Sequence, residues 1–277
     1  MNLQLDLISF SYSPHCKRCG SKAVVRNGRY RKHEHIYLCR RCGCQSAFGS
    51  SDIYRMRKPS GLVAEALRLY AAVGISLRSI GRMLKVAHTT VARWIKKFAA
   101  CTFPKLQPRN SPTWRFDETY VRINKKWWWL GVVLCDTTRL VLSWGLREEE
   151  HAEEIVTLLR EAIKNAGFRP SEVITDGYFH YPWKIRKAFG WRFVKHRIEK
   201  GLGHNQKIER HFREVKRRIK WFSSFRTKES AESFFTLFFF VHNYLKPNRG
   251  IGLQTPAQKA GIQPMTLEGL LKPFIPS

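Results

Sequence analysis

The chain has 277 residues, 43% of them hydrophobic and 13% aromatic, so it can bury a sizeable core in two or three units and is not a disordered protein. Its formal net charge of +29 attracts polyanions at ordinary salt, which makes nucleic acid the expected partner. The longest mostly apolar run, 234–241, is too short to span a bilayer, so we expect no membrane partner. The first residues lack the pattern of a secretory signal, and we expect a reducing, intracellular compartment.

Two Cys-x-x-Cys pairs stand near the start of the chain, and 19 residues separate them. Their members are Cys16, Cys19, Cys39 and Cys42. The odd total of seven cysteines argues against disulfides, and the spacing is typical of a closed, structural four-thiolate zinc site. We therefore predict a zinc ribbon over 1–50, with a hairpin turn at Asn27-Gly28. The alternative ligands left open are Cys44, His15, His33 and His35.

Helical periodicity over 62–99 predicts three helices, at 62–70, 77–85 and 89–98. Ser76 is the expected N-cap of the second helix, and Gly81 is small enough to let the second and third helices cross. The short turn between them indicates a helix-turn-helix in an all-α domain over 51–103. Its third helix would enter the major groove of DNA. The candidate contacts are His88, Thr89, Thr90, Arg93, Lys96 and Lys97. A three-helix bundle without DNA contact is the alternative.

The proline-containing stretch at 104–112 is a predicted linker, and the sequence pattern changes after it. Alternating and apolar runs then predict three antiparallel strands at 114–123, 127–135 and 140–146. The elements predicted after these strands are a helix at 151–167, a strand at 172–176, a helix at 181–189, a strand at 191–196, and helices at 205–220 and 229–245. This order predicts an α/β domain over 113–262 with a five-stranded mixed sheet, followed by a tail at 263–277.

Three consecutive tryptophans, Trp127 to Trp129, begin the second of these strands. Such a run could serve as a platform on which nucleic-acid bases stack. Leu130 and two valines follow closely, however, as in a strand with both faces covered. We interpret the run as buried sheet.

Three acids are placed where an α/β domain gathers its chemistry, near strand ends. Asp117 lies within the first strand, Asp176 ends the fourth strand 59 positions later, and Glu209 opens a helix after 33 more positions. On that helix Glu209 shares a stripe with three cations, Arg213, Lys216 and Lys220. Each acid alone has an ordinary structural explanation in an ion pair, a turn or a helix start. The rival acids are Glu118, Asp136 and Glu214.

With these segments in view, the chain resembles the DDE-type transposases of prokaryotic insertion sequences, within the ribonuclease H-like superfamily that includes retroviral integrases. The segments that carry the resemblance are Asp117-Glu-Thr-Tyr, Thr175-Asp-Gly-Tyr, Asn205-Gln-Lys-Ile-Glu209 with Lys216, His242-Asn-Tyr-Leu-Lys, and 253–261. The zinc ribbon and the helix-turn-helix also resemble the modules with which such enzymes recognise the ends of their elements. The expected fold is therefore ribonuclease H-like.

The resemblance implies a DNA transposase that binds element ends and carries out Mg2+-dependent strand cleavage and strand transfer. Asp117, Asp176 and Glu209 would hold two Mg2+ or Mn2+ ions, while Arg213 and Lys216 would contact DNA. A homodimer or higher homo-oligomer on double-stranded DNA, in the cytoplasm and associated with the nucleoid, is expected. The first alternative is a domesticated, catalytically inactive DNA-binding protein. A structure-selective nuclease on the same fold is a third possibility.

Overall fold

The structure is a computed structural model that describes residues 16, 21, 23–29, 35–47, 58, 60–100, 106–109, 111–148, 152–190, 194–199, 206–220 and 224–267. These residues fall into two compact units that divide between positions 57 and 58. None of the helices found there has the length and apolar character needed to cross a membrane.

The first unit is built on a small antiparallel sheet of three strands in sequential order. The strands are β1 (Val24–Arg29), β2 (His35–Cys39) and β3 (Gln45–Ala47). The predicted hairpin turn at Asn27-Gly28 is wrong, because both residues lie inside β1, where the pairing register with β2 shifts between Arg26 and Arg29. Gly28 has a φ of 88°, so it supplies the left-handed conformation of a bulge rather than that of a hairpin turn.

The second unit begins with three helices, α1 (Ser60–Arg68), α2 (Leu77–Met83) and α3 (His88–Ala99). A π-helical turn, Leu69–Val73, continues α1. The predicted cap is confirmed, because the Ser76 hydroxyl accepts a hydrogen bond from the Ser79 amide at 3.1 Å. The close crossing at Gly81 is also confirmed, since a Cβ there would lie 2.6 Å from the Val86 carbonyl oxygen. The three helices thus have the helix-turn-helix arrangement that the sequence predicts.

The core of the second unit is a mixed five-stranded sheet in the order β6-β5-β4-β7-β8. Its strands are β4 (Thr113–Ile123), β5 (Lys126–Cys135), β6 (Val141–Arg147), β7 (Glu172–Thr175) and β8 (Lys195–Ile198). The first three are antiparallel, and β7 and β8 run parallel to β4. This topology confirms the predicted mixed α/β sheet.

Two details of the sheet differ from the prediction. The last strand lies at Lys195–Ile198 and so ends two residues beyond the predicted 191–196, of which 191–193 lie outside the described residues. It is a largely exposed edge strand whose composition carries little hydrophobic signal. The interpretation of the three tryptophans as buried sheet is wrong for Trp127, whose side chain is 63% exposed. Burial along β5 begins at Leu130. Trp127 projects with its partner Arg122 from one face of the hairpin end, whereas Val121 and Ile123 on the other face are buried.

Five more helices complete the second unit: α4 (Ala152–Ala166), α5 (Tyr181–Phe189), α6 (Gln206–Ile219), α7 (Lys228–Phe240) and α8 (Pro256–Lys259). A π-helical turn, Val241–Leu245, extends α7. Helix α4 lies on the face of Gly131, where an added Cβ would meet Leu158 at 2.8 Å. Helix α7 lies on the opposite face, where the rings of Phe235 and Phe239 pack on Trp144 with centroids 5.9 and 5.4 Å away.

The three N-terminal helices of this unit pack directly on α6 and α7. Phe98 of α3 meets Phe240 edge-on at 5.2 Å, and Tyr70 meets Phe234 in the same way at 5.7 Å. The buried guanidinium of Arg218 in α6 donates hydrogen bonds to the carbonyl oxygens of Tyr70 and Ala71, the latter at 3.0 Å. The packing therefore crosses the boundary between the helix-turn-helix and the sheet domain that the sequence pattern predicts.

Replacing Gly81 with alanine is expected to destabilise the second unit by about 1–3 kcal/mol, because the new methyl group would overlap backbone atoms that cannot rotate away. Gly61→Ala is the matched control, since nothing lies within 4 Å of its added Cβ and alanine favours the helix by at most about 1 kcal/mol. Urea unfolding followed by tryptophan fluorescence measures both. Equal stability of the two variants would contradict the close crossing.

Candidate active site

Asp117 lies in the middle of β4 on the face that α6 and α7 cover. It pairs with Val132, which pairs with Trp144, so these side chains form one row across the sheet. One carboxylate oxygen accepts a hydrogen bond from the Glu118 amide at 2.7 Å. Burial, and then the charges of Asp176, Glu118 and Glu209, raise the pKa of Asp117 to about 7, against that one hydrogen bond. Asp117 is thus an acid held close to other acids.

Asp176 follows β7 immediately and occupies the position beside Asp117. In the parallel pairing of β4 with β7, Thr113 faces Glu172 and Arg115 faces Ile174, a constant offset of 59 positions. The same offset separates the two aspartates, so the spacing in the sequence is the register of the two strands. Asp176 is exposed, and it accepts a hydrogen bond from the Tyr178 amide at 3.1 Å, which shapes the loop that follows.

Glu209 comes from the first turn of α6, and its side chain is exposed. Its charge contributes to the raised pKa of Asp117, so the helix brings this third acid toward the two aspartates. The oxygens of the three acids are not all within 4.8 Å of one another, because the one group of that compactness among the described residues is formed by cysteines.

A chain of ion pairs fixes the start of α6 against the sheet. Lys207 donates to Asp136 at 2.6 Å, and Arg115 of β4 donates to Asp136 and, at 2.8 Å, to Glu199. Burial alone would raise the pKa of Asp136, but the hydrogen bonds from Lys207 and Arg115 hold it below its ordinary value. The pairing removes the rival acid Asp136 from the candidate site and places Glu209, two residues after Lys207, over the sheet.

Glu118 lies on the opposite face of β4 and is committed to another network. Arg147 donates to one of its oxygens at 2.5 and 3.0 Å, and the Tyr181 hydroxyl donates to the other at 3.0 Å. Burial and the neighbouring acidic charges raise the pKa of Tyr181 well above its ordinary value, so the phenol keeps the proton that it donates. Glu118 therefore supports the sheet behind Asp117 rather than sharing its site.

Glu214, the last rival acid, forms an ion pair with Lys246. By contrast, Asp117, Asp176 and Glu209 form no ion pair with any basic side chain that the structure describes, although the chain carries 50 lysines and arginines. Three carboxylates without cationic partners among the described residues offer oxygen donors of the kind that hard divalent ions such as Mg2+ or Mn2+ prefer. The residues present therefore fit a divalent-metal site.

The candidate DNA-contacting side chains lie on two helices of the second unit. On α6, Arg213 and Lys216 are exposed on the same stripe as Glu209. On α3, four candidates are exposed and two are half-buried. The exposed ones are His88, Thr89, Arg93 and Lys96, and the others are Thr90 and Lys97. Val91, Trp94 and Ile95 of the same helix are buried, so α3 presents a polar side away from its core. The role of all eight in DNA binding stays a prediction.

Three of the four predicted zinc ligands come together in the first unit. The sulfur atoms of Cys16, Cys39 and Cys42 all lie within 4.8 Å of one another, and those of Cys16 and Cys42 are 3.5 Å apart. That separation is far longer than a disulfide bond of about 2 Å and close to the distance between thiolates on one tetrahedral zinc ion. The cluster therefore fits zinc. Cys19, the predicted fourth ligand, lies outside the described residues.

Of the alternative zinc ligands, Cys44 does not enter this group. Its sulfur donates a hydrogen bond to the Gln45 carbonyl oxygen at 3.8 Å and is not one of the three clustered sulfurs. His15, His33 and the side chain of His35 lie outside the described part of the chain. Backbone hydrogen bonds from Cys39 to the Cys44 carbonyl and from Gly43 to the Cys39 carbonyl shape the turn that presents Cys42.

Sequence reasoning missed the residues that hold the acids in place. Arg115 and Lys207 pair with Asp136 and hold α6 in place. Arg147 forms an ion pair with Glu118, and Tyr181 donates a hydrogen bond to it. A signal for Arg115 was present, since it lies in an alternating strand two residues before Asp117, with the same side-chain direction. No comparable sequence signal identifies Lys207, because it is one cation among many on a basic helix.

Comparisons with known proteins agree with this architecture. Residues 111–248 match a family model described as a DDE domain, and residues 62–101 match one described as a homeodomain-like domain. Two proteins of Staphylococcus aureus, the transposase for insertion sequence element IS257 in transposon Tn4003 and a transposase for insertion sequence-like element IS431mec, are each 28% identical over 181 residues. These alignments cover 61% of the chain and 79% of each relative.

Among solved structures, the HTLV-2 integrase catalytic core domain in complex with magnesium is 16% identical to the chain. The alignment covers 55% of this chain and 97% of the integrase domain, with a TM-score of 0.43. A chain of the simian T-cell lymphotropic virus intasome in complex with PP2A regulatory subunit B56 gamma is also 16% identical. That alignment covers 72% of this chain and 75% of the intasome chain, with a TM-score of 0.46.

The mixed sheet and the two matching domains define a DDE-domain protein that carries a helix-turn-helix. Over 181 residues the chain is similar to insertion-sequence transposases. The resemblance seen in the sequence is thereby confirmed for the family and the fold. The predicted domain limits and the roles of individual residues stay predictions.

Asp117 is expected to make the stability of the metal-free protein depend on pH. Its pKa is about 7 in the folded chain and near 3.8 ordinarily, so the folded state holds a proton that the unfolded state has lost between these values. Stability therefore falls as pH rises from about 4 to 7 and stays low above that range. Asp117→Asn removes this loss and raises the unfolding temperature at pH 8, measured by calorimetry in a chelator. Glu161→Gln, at an exposed position of α4, is the control that keeps the wild-type slope.

Loss of zinc is expected to unfold the ribbon and to leave the second unit folded. All nine tryptophans follow residue 93, so their fluorescence reports on the second unit alone, while hydrogen exchange at 24–47 reports on the ribbon. Chelation or Cys42→Ser should speed exchange in the ribbon without changing the fluorescence, and Cys44→Ser should retain the metal. A simultaneous loss of both signals would contradict this independence.

Proposed function

We propose that this chain binds the ends of an insertion element and catalyses Mg2+-dependent cleavage and strand transfer of DNA at Asp117, Asp176 and Glu209. The observation that carries the proposal is the contrast among the acids of one DDE domain. The three rivals have cationic partners, whereas these three acids pair with no cation among the described residues, and the charges of Asp176 and Glu209 act on Asp117. Because like charges at close range destabilise a fold, such a cluster is consistent with a site that a cation completes.

In this proposal Asp117 would serve both ions, Asp176 one of them and Glu209 the other. The charges of Asp176 and Glu209 both act on Asp117, which supports its shared role. When bound, the two ions stabilise the attacking and the leaving oxygens of an in-line displacement at phosphorus. The raised pKa of Asp117 supports this role, since a bound cation would release its proton at neutral pH.

The chain's own side chains bind and orient the DNA. Arg213 and Lys216 lie one and two turns along α6 from Glu209 and hold the phosphates next to the reacting one. Glu209 also positions the attacking group, which is water in the first step and the freed 3′-hydroxyl in the second. In cleavage, a P–O bond to water forms as the bond from phosphorus to the 3′-oxygen of the element's end breaks, which frees the 3′-hydroxyl. In strand transfer, that 3′-hydroxyl forms a P–O bond with a phosphodiester of the target DNA, and the target's own P–O bond breaks and releases a target 3′-hydroxyl.

Recognition of double-stranded DNA is assigned to α3, with base contacts from His88, Thr89, Thr90 and Arg93 and phosphate contacts from Lys96 and Lys97. The homeodomain-like match over 62–101 and the net charge of +29 support this assignment. Joining two ends to a target requires at least two copies of the site, so we propose a homodimer or higher homo-oligomer. We also propose that it works in the cytoplasm on nucleoid DNA, as expected for a relative of bacterial transposases.

A domesticated, catalytically inactive DNA-binding protein is the alternative. The three acids disfavour it, because carboxylates in a basic surface repel the phosphates of DNA and a protein that only binds gains nothing from them. A structure-selective nuclease is disfavoured by the helix-turn-helix, whose sequence readout such an enzyme does not need.

Asp117→Asn, Asp176→Asn and Glu209→Gln are each expected to abolish Mg2+-dependent nicking of DNA that carries the inverted repeats flanking the coding region. DNA binding in a chelator should be kept or slightly strengthened, because each change removes one negative charge. Glu214→Gln is the matched control on the same helix, and it should still cleave because Glu214 is paired with Lys246. Gel assays of nicking and of binding separate the two effects. Undiminished cleavage in any of the three variants would overturn the assignment.

A further inference from the structure

A groove of about 350 Å³ lies between the end of the β4–β5 hairpin and the last turns of α6. Aromatic and cationic side chains form its rim: Tyr120, Arg122 and Trp127 from the hairpin, and Lys216 and Lys220 from α6. Ile219 and Phe225 supply part of its apolar lining. The groove thus combines flat apolar surface with positive charge.

Its aromatic rings are exposed yet held in place. The side chain of Trp127 is 63% exposed and that of Tyr120 is 48% exposed. Tyr120 packs against Trp129 with ring centroids 4.0 Å apart and meets Trp127 edge-on at 6.3 Å. The Arg122 guanidinium lies 5.9 Å from the centroid of the Trp127 ring. Rings that are already ordered lose little entropy when a flat ligand stacks on them.

The cations of the groove are available to a ligand. Lys216 and Lys220 are exposed, and neither pairs with an acid that the structure describes. Lys216 lies seven residues beyond Glu209, which is about 10 Å along the helix. Tyr120 lies three residues beyond Asp117, about 10 Å along the strand, and its side chain projects from the opposite face of β4, as does that of Trp127. Measured along α6 from Glu209, the lysines of the groove begin about three base steps of DNA away.

We propose that this groove binds an unpaired nucleotide of the DNA substrate, with its base on Trp127 and Tyr120 and its flanking phosphates on Lys216 and Lys220. The proposal rests on the proposed function, which makes DNA the substrate of the neighbouring acids. Bases inside a duplex are stacked on both faces, so exposed rings can contact only a base that has left the stack. A protein partner suits the groove less well, because the cores of protein interfaces are depleted of lysine.

The test compares the binding of full-length protein, in a chelator, to a blunt duplex and to the same duplex ending in an unpaired fork that carries a fluorescent purine analogue. Wild-type protein is expected to prefer the fork by about tenfold and to quench the analogue through stacking. Trp127→Ala should remove the preference and the quenching while its affinity for the blunt duplex stays the same. Trp127→Phe should keep both.

Trp183→Ala is the matched control, because Trp183 on α5 is 53% exposed and also has a neighbouring cation, Lys187, 5.0 Å from its ring. It should leave fork preference unchanged. Equal binding of fork and blunt DNA by the wild type, or an equal effect of Trp127→Ala on both, overturns the proposal. A change in the oligomer mass of Trp127→Ala, measured by sedimentation, would also overturn the proposal, because it would show that a second copy of this chain binds in the groove.

The outcome is separable from that of the proposed catalysis, since no step of this test involves cleavage. If Asp117→Asn cleaves DNA normally while the fork preference depends on Trp127, the catalytic assignment is wrong and the proposal that the groove binds an unpaired nucleotide is retained. If Asp117→Asn is inactive and Trp127→Ala keeps the fork preference, the groove fails alone.

Discussion

The ion pairs that link Arg115, Asp136 and Lys207 are the contacts on which the candidate site depends. Neighbouring carboxylates repel one another, and these ion pairs act together with the buried face of α6 at Ile208, Phe212 and Val215 to hold the helix that carries Glu209 on the sheet. Buried charges stabilise a fold only when their hydrogen bonds are satisfied, and here Asp136 accepts from both cations while Arg115 also reaches Glu199. The repulsion at the site is thus offset by attraction at its border.

Asp117 and Glu118 have different surroundings on the two faces of β4, and the sequence alone does not predict which residue lies on which face. Adjacent residues in a strand point to opposite faces, so the pattern predicts that they are separated but not which one faces the site. That choice follows from the packing of α4 against Gly131 and of α7 against Trp144, which depends on side chains distant in sequence. A buried arginine then meets Glu118 on one face, and the other acid is left without a partner among the described side chains.

Much of the second unit was predictable because its signals are local. The hairpins, the helix periods, the cap at Ser76 and the contact at Gly81 follow from short segments, and the 59-residue spacing of the aspartates is itself the strand register. Three predictions failed where context decides. The Asn27-Gly28 pair forms a bulge because its strand continues to Arg29. The exposed edge strand β8 lacks a hydrophobic pattern, and Trp127 projects from the exposed face of the hairpin end, opposite to the face on which Val121 is buried.

The hydrogen bonds from Arg218 to the Tyr70 and Ala71 carbonyl oxygens fix the distance between the helix-turn-helix and α6. The same helix carries Glu209 at its start and this arginine near its end, and α3 packs on the adjoining α7 through Phe98. Any DNA held by α3 is therefore presented to the acids at a fixed offset. The packed side chains would then determine how many base pairs separate the sequence bound by α3 from the phosphate that reacts at the three acids. The length of the segment 101–112 would not affect that number.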